Sequence, residues 1–235
     1  MKVQEWKQGI RDGIPIALGY FSVSFTFGLM AEEAGLAWWQ AVLISVTNLT
    51  SAGQFAGLDI MIVGGVYIEM ALTQLVINLR YALMSLSLSQ KLDRNFGTGK
   101  RLGLGFFMTD EIFGVAASRK GTVSGSYFSG LATLPMGGWS FGTLAGALLG
   151  GILPAIVQAA FGVAIYGMFL AIIIPQARDD FRYLIVIVIA ILLSCGFRYI
   201  PLLKQVSSGF SIILCAVIAA GIGAWLYPLE PDQEE

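Results

Sequence analysis

The feature that most constrains this chain is the recurrence of apolar runs of about 20 residues, the length that crosses a ~30 Å hydrocarbon core as a helix. Hydrophobic residues make up 56% of the 235 residues and charged residues only 12%, so few positions are left for a solvated surface. Inside a bilayer the backbone amides must be hydrogen-bonded within the protein, and long apolar runs achieve this as helices. The sequence therefore predicts an all-α, polytopic membrane protein.

Hydropathy divides the chain into seven to eight hydrophobic segments. The candidates are 14–31, 39–64, 66–88, 102–118, 127–150, 152–174, 183–199 and 206–226. They leave no stretch for a soluble domain, so we expect one transmembrane domain over 1–235 that ends in an acidic tail at 228–235. The first run is too long for the core of a cleaved signal peptide, and we interpret it as a retained span.

Segment 39–64 is predicted to be broken or re-entrant because small and polar residues interrupt it. Irregular backbone at membrane depth survives only where protein or a wet cavity satisfies its amides, and broken helices of this kind place helix ends at transporter substrate sites. We place the hinge in the stretch SAGQFAG, residues 51–57. The alternative is a continuous helix whose small residues pack against its neighbours.

The distribution of Lys and Arg bears on the same question, because these residues accumulate in cytoplasmic loops. If segment 39–64 returns to its own side, eight such residues lie on the N-terminal side and four on the other; if it crosses, the counts are seven and five. The counts favour a re-entrant or broken segment, with the N-terminus in the cytoplasm.

Five ionisable residues lie inside the predicted segments, and they are the main functional signal: Asp59, Glu69, Arg80, Asp110 and Glu111. Burying a charge at bilayer depth costs ~2.5 kcal/mol or more, so such residues face a partner or a water-filled path. Arg80 lies too far from its segment end to reach water comfortably, and we expect it to pair with Asp110 or Glu111. Because burial favours the neutral form of a carboxyl group, the other carboxylate is a candidate proton carrier. The alternative is a purely structural ion-pair network.

The segment 127–150 has a glycine at every fourth position from Gly138 to Gly150. This spacing is typical of a face on which another helix approaches closely, and we interpret it as packing. The alternative is an interface with a separate small subunit.

Several function classes are excluded by the composition. The chain has no histidine, so the G-x-S-x-G match at 138–142 is not interpreted as a Ser-His hydrolase, and the common zinc and haem sites are not expected. There is no nucleotide-binding loop and no basic face for nucleic acid. We expect no catalytic residues, no metal and no cofactor, and therefore not an enzyme.

Four blocks of the sequence together resemble the AzlC/YgaZ branched-chain amino-acid exporters. They are GIPIALGYFSVSFTFGLMAEEAGL (13–36), SAGQFAGL (51–58), QLVINLRYALMSLSLS (74–89) and FMTDEIFG (107–114). The resemblance covers about residues 10–150 in the expected order. The family positions that carry over are Gly13, Pro15, Gly19, Tyr20, Gly53, Gln54, Phe55, Asn78, Leu79, Arg80, Asp110 and Glu111. The chain departs from the pattern at 48–51 and at Tyr81, where the family commonly has histidine.

The resemblance implies a multi-pass permease subunit of the cytoplasmic or inner membrane of a prokaryote. It would export valine, leucine and isoleucine, with methionine as a further candidate, by proton-coupled secondary transport. The implied partner is a small hydrophobic membrane subunit of the AzlD/YgaH type. Two alternatives remain open, a passive small-molecule channel and a non-transporting scaffold subunit.

An amino-acid zwitterion needs donors for its carboxylate, acceptors for its ammonium group and an apolar pocket. We expect the amides of Gly53 and Gln54 to bind the carboxylate with help from Asn78. The remaining candidates are Phe55 and Phe107 for the apolar pocket, and Arg80, Asp110, Glu111 and Glu69 for ion pairing and proton exchange.

Overall fold

The computed structural model describes residues 2–93, 96–154, 180–201 and 203–227, with scattered positions between 156 and 178. Regular structure in these residues is helical, apart from one isolated bridge between Leu92 and Val123. Most of the predicted segment 152–174 and the whole acidic tail 228–235 lie outside the described residues. The predicted all-α class is confirmed.

The described helices are α1 (Lys2–Glu33), α2 (Trp38–Thr47), α3 (Ser51–Ile62), α4 (Tyr67–Ser89), α5 (Thr98–Gly105), α6 (Asp110–Ser118), α7 (Gly125–Leu149), α8 (Phe181–Tyr199) and α9 (Ser208–Leu226). Short 3-10 turns follow at Gly150–Ile152 and Leu203–Gln205. Among the described helices, α1, α4, α8 and α9 are each long and apolar enough to cross a membrane.

The glycine face of α7 packs against α1, and this contact is the most extensive one between the described helices. A methyl group on Gly138 would overlap the backbone of Ala17, one on Gly142 the backbone of Phe21, and one on Gly146 the backbone of Phe25. Small residues let two helix backbones approach this closely. The packing interpretation of the glycine period is confirmed, and the alternative of a separate subunit on this face is wrong.

Segment 39–64 is broken, but the predicted hinge position is wrong. The chain leaves the helix at residues 48–50, between α2 and α3, whereas SAGQFAG is helical as the start of α3. The buried Gln54 side chain explains the difference, since its amide donates to the carbonyl oxygen of Asn48 at 2.6 Å and to that of Ile44 at 3.3 Å. The Thr50 hydroxyl accepts the N–H of Gly53 at 3.4 Å. Side chains thus replace the helical hydrogen bonds that the break removes.

A second break, at residues 106–109, divides the predicted segment 102–118 into α5 and α6. Thr109 is the N-cap of α6, and its hydroxyl accepts the N–H of Ile112 at 3.4 Å. Asp110 and Glu111 therefore lie in the first turn of a short helix, not in the middle of a long one. A negative charge is favourable there because the free N–H groups of a helix start carry partial positive charge.

Three parts of the chain meet at the N-terminal end of α1. Glu5 accepts a hydrogen bond from Ser124 at 2.6 Å, immediately before α7. Val123 donates to the carbonyl oxygen of Lys91 at 2.8 Å and accepts from the N–H of Asp93 at 3.0 Å. The loop after α4 and the loop after α6 therefore lie beside the start of α1.

The chain forms two compact units, one of residues 1–55 and 78–165 and the other of residues 56–77 and 166–235. The packing of α1 with α7 and the two helix breaks belong to the first unit. In the second unit α8 packs against α9, with Val186 in contact with Gly223.

Candidate functional site

A small cavity in the first unit lies where both helix breaks meet three other helices. Its lining consists of Tyr20 from α1, Leu49 from the first break, Ser51 from the start of α3, Tyr81 from α4, Thr109 from the second break, Asp110 and Glu111 from the start of α6, and Trp139 from α7. The volume open to the centre of a water molecule is about 10 Å³, which is room for about one water. In this conformation the cavity cannot hold an amino acid.

Arg80 and Asp110 form an ion pair beside the cavity, with 2.9 Å between Nη2 and Oδ2. The side chains are 39% and 22% exposed, respectively. Asp110 faces both the guanidinium group and the positive end of α6, so two independent features favour its charge. Of the two candidate carboxylates, Asp110 is the one that pairs with Arg80.

Glu111 instead belongs to a chain of hydroxyl groups. The Tyr20 hydroxyl oxygen lies 2.5 Å from Oε2 of Glu111 and 2.6 Å from Oγ1 of Thr109. A phenol carries one hydrogen, so it cannot donate in both contacts. With Glu111 ionised, Tyr20 donates to the carboxylate and Thr109 donates to Tyr20. These three groups form a continuous hydrogen-bonded chain that ends on the Glu111 carboxylate.

Tyr81 connects Arg80 to the first break. It accepts a hydrogen bond from Nη2 of Arg80 at 3.3 Å and donates to Oγ1 of Thr50 at 3.2 Å. The guanidinium carbon also lies 5.1 Å from the centre of the Tyr81 ring, within cation–π range. Tyr81 therefore acts as a hydrogen-bond bridge between Arg80 and Thr50.

Trp139 closes one wall of the cavity. It is 2% exposed, and its ring meets that of Tyr20 edge to face with 5.2 Å between centroids. Its indole N–H has no hydrogen-bond partner among the described residues. A buried N–H without a partner is costly, so a bound polar group at the cavity wall would relieve it.

The residues predicted to bind substrate do not line this cavity. The amide of Gly53 donates to Thr50 Oγ1 and that of Gln54 to the Thr50 carbonyl oxygen, so both are occupied. Phe55 packs edge to face on Phe27 of α1, with 5.6 Å between centroids. Asn78 and Phe107 are half-buried elsewhere in the unit, and the ring of Phe107 meets that of Phe106.

Sequence reasoning assigned no site role to Thr50, Ser51, Tyr81, Thr109 or Trp139. One signal was available for Thr109, because a threonine followed by two acidic residues is a typical helix start. The other four are recognisable only once the tertiary contacts are known.

Glu69, predicted as part of the ion-pair group, lies in the second unit and has a different role there. It is 3% exposed, and its Oε1 accepts hydrogen bonds from Ser207 Oγ at 2.5 Å and from the N–H of Gly209 at 3.0 Å. Both donors belong to the start of α9, so the carboxylate caps that helix from α4. Among the described residues its hydrogen-bond partners are these neutral donors, and an ion-pair role for Glu69 stays a prediction.

Long apolar helices and two interrupted segments around a charged cavity define a multi-pass helical membrane protein. The chain belongs to the AzlC protein family, whose sequence model matches residues 15–153. The family assignment made from the four sequence blocks is confirmed.

Individual relatives agree with this membership. The inner membrane protein YgaZ of Escherichia coli K12 is 29% identical over 177 residues, which is 72% of each chain. An uncharacterized membrane protein of Archaeoglobus fulgidus is 30% identical over 183 residues, 74% of this chain and 76% of the relative. One from Helicobacter pylori J99 is 28% identical over 152 residues, 63% of this chain and 65% of the relative. No solved structure shows significant similarity to the chain.

Proposed function

We propose that this protein is a permease subunit that exports branched-chain amino acids from the cytoplasm by proton-coupled secondary transport. The substrates would be valine, leucine and isoleucine, with methionine as a further candidate. The observation that carries the proposal is the cavity at which two helix breaks, the Arg80–Asp110 pair and the Glu111 carboxylate converge. Such discontinuous helices around a charged centre are characteristic of secondary transporters.

The groups around the cavity match the two charges of an amino acid. The first N–H groups of α3, those of Ser51 and Ala52, have no carbonyl partner within the helix and are suited to a carboxylate. Arg80, which is hydrogen-bonded to Tyr81 at the edge of the cavity, adds a positive charge that would attract the same carboxylate. Glu111 supplies an acceptor for the ammonium group, and Leu49 and Trp139 supply apolar surface.

Transport requires this cavity to open, because its present volume of about 10 Å³ admits only a water molecule. The breaks on both sides are the natural points of movement, since few backbone hydrogen bonds cross them. Glu111 would alternate between a proton and the substrate ammonium group, which couples amino-acid export to proton uptake.

Several finer features complete the proposal. We propose seven to eight hydrophobic segments in one transmembrane domain, a re-entrant segment 39–64 and a cytoplasmic N-terminus. We also propose a small hydrophobic subunit of the AzlD/YgaH type as partner. The glycine face of α7 is occupied by α1, so that subunit would bind elsewhere.

Counterflow of labelled valine in proteoliposomes tests the proposal, with the chain reconstituted alone and together with a small subunit. A carrier accelerates exchange when unlabelled valine is trapped inside, and an imposed proton gradient drives net movement. A passive channel would give flux without counterflow and without response to the gradient. A scaffold would give no flux under any condition, and either result would overturn the carrier assignment.

A further inference from the structure

The described residues between 2 and 118 contain the same arrangement of helices twice. The long helix α1 is followed by the broken pair α2 and α3, and the long helix α4 is followed by the broken pair α5 and α6. Tyr81 follows Tyr20 by 61 residues, and Thr109 follows Thr50 by 59. Both tyrosines end an I-x-L-x-Y pattern, at 16–20 and 77–81. Each threonine precedes its helix directly and accepts the N–H three residues ahead at 3.4 Å.

The two arrangements, α1–α3 as the first copy and α4–α6 as the second, are joined by reciprocal hydrogen bonds. Tyr20 of the first copy is hydrogen-bonded to Thr109 of the second at 2.6 Å, and Tyr81 of the second is hydrogen-bonded to Thr50 of the first at 3.2 Å. A reciprocal pattern, in which i contacts j and the equivalent of j contacts the equivalent of i, is produced by a two-fold axis. The cavity lies at the point where these two bonds meet.

The loop contacts fix the direction of each copy. The start of α1, the loop after α4 and the loop after α6 lie together, through Glu5, Lys91 and Val123. The helices α1 and α4 contain 32 and 23 residues, long enough to cross. They must then run in opposite directions. The pair α2–α3 consequently begins and ends on the far side, and the pair α5–α6 begins and ends on the N-terminal side.

The charges agree with this topology. Up to residue 150, the basic residues outside the segment cores are Lys2, Lys7, Arg11, Lys91, Arg94, Lys100, Arg101, Arg119 and Lys120. All of them fall in parts of the sequence that this topology assigns to the N-terminal side. The connections at 34–37, 63–66 and 150–152, assigned to the far side, have no Lys or Arg. Lys and Arg accumulate in cytoplasmic loops, so this distribution assigns the N-terminal side to the cytoplasm.

We propose that the site is built from two inverted halves, each a long helix followed by a broken segment that returns to its own side of the membrane. In this arrangement Tyr20 and Tyr81 are positioning residues, whose hydrogen bonds to the two breaks keep the cavity closed. Inverted halves with discontinuous helices give a site that opens to either side in turn. The Tyr81–Thr50 bond would close the cavity toward the far side, and the Tyr20–Thr109 bond toward the N-terminal side. The proposal deepens the transport function and rests on it only for the identity of the substrate.

Side-specific thiol labelling tests the arrangement in membrane vesicles of both orientations. Cys195 and Cys215 are first replaced by alanine, and Ser51→Cys then supplies a single thiol at the cavity. In this background Tyr81→Phe is expected to raise labelling by a membrane-impermeant reagent about fivefold from the far side, the ratio for a net hydrogen bond of about 1 kcal/mol. Tyr20→Phe is expected to raise it from the N-terminal side. The matched control is Tyr67→Phe, which changes an exposed tyrosine of α4 and is expected to leave the labelling rates from both sides unchanged.

Three further single-cysteine variants test the topology independently. Val3→Cys and Gly99→Cys are expected to react from one side, and Val63→Cys from the other. Labelling of residues 3 and 99 from opposite sides would overturn the inverted halves. Equal effects of the Tyr20 and Tyr81 variants from both sides, or no effect of either, would overturn their positioning role. Because labelling needs no substrate, a failure of valine counterflow leaves these outcomes readable and counts only against the exporter assignment.

Discussion

Arg80 meets Asp110 at 2.9 Å, and the carboxylate that it meets is the first residue of helix α6. The guanidinium group and the start of α6 therefore stabilise the same negative charge. Asp110 is held by the guanidinium group, whereas the neighbouring Glu111 accepts a hydrogen bond from the hydroxyl group of Tyr20. The two adjacent carboxylates thus have different environments, and different roles follow for them.

Replacement of Arg80 by alanine is expected to abolish valine export while the protein still inserts in the membrane. The substitution leaves the partly buried carboxylate of Asp110 without its cationic partner, and it removes the positive charge beside the cavity. Uptake of labelled valine by inverted vesicles measures the loss, and immunoblotting of the membranes measures insertion. Asp110→Asn is expected to have the same effect.

Lys120→Ala is the matched control for Arg80→Ala, since it removes an exposed basic residue from the loop after α6. It should transport as the wild type does. The double variant Arg80→Gln with Asp110→Asn removes both charges together and should insert as well as the wild type, yet remain inactive. Normal export by Arg80→Ala and Asp110→Asn would remove both residues from the mechanism.

Glu111→Gln is expected to separate exchange from proton coupling. The amide keeps the size of the side chain and an acceptor for Tyr20, but it cannot bind and release a proton at neutral pH. Valine counterflow should persist at a reduced rate, while net movement driven by a proton gradient should disappear. Asp59→Asn, which neutralises an exposed carboxylate of α3, should leave both activities intact. Gradient-driven transport by Glu111→Gln would assign the proton to another group.

The close packing of α1 and α7 predicts opposite effects for neighbouring glycines. Gly142→Ala would press a methyl group onto the Phe21 backbone, and overpacking of this kind costs about 1–3 kcal/mol. A methyl group on Gly137 meets nothing within 4 Å. Gly137→Ala should therefore be neutral or stabilise the helix by about 0.5–1 kcal/mol. The midpoint of thermal unfolding in detergent is measured for both variants. Equal midpoints for Gly142→Ala and Gly137→Ala would contradict the close packing of α1 and α7.

The fold class was predictable because long apolar runs leave few alternatives, and the contact of Arg80 with a neighbouring carboxylate followed from the cost of isolated charge. The first break was predictable in kind, since polar residues lower the apolar character of 39–64. The position of this break was not predictable, because it depends on hydrogen bonds from the Gln54 side chain to the carbonyl groups of Ile44 and Asn48.

The second break escaped prediction for a different reason. Phe106, Phe107 and Met108 keep the stretch apolar, so hydropathy continues through a point where the helix stops. The reciprocal bonds of Tyr20 and Tyr81 join residues far apart in the chain, and no local pattern indicates which hydroxyl groups will meet. The cavity lining therefore became apparent only from the tertiary structure.

Gln54 offers a stability test of the first break that does not depend on transport. Its side chain is 1% exposed and donates to the carbonyl groups of Ile44 and Asn48, while its carbonyl oxygen accepts from Ser45 at 3.4 Å. Gln54→Leu keeps a similar volume but removes the hydrogen bonds to these two carbonyl groups, and at about 0.5–1.5 kcal/mol for each bond the loss is about 1–3 kcal/mol. The free energy of unfolding in detergent should fall by that amount, whereas Gln4→Leu at the exposed start of α1 should change it little. Gln54→Glu should also destabilise, because a carboxylate repels the two carbonyl oxygens that the amide joins. If Gln54→Leu unfolds at the wild-type midpoint, then the side chain does not hold the break, and the position of the break must be determined by Thr50 and its tyrosine partner instead.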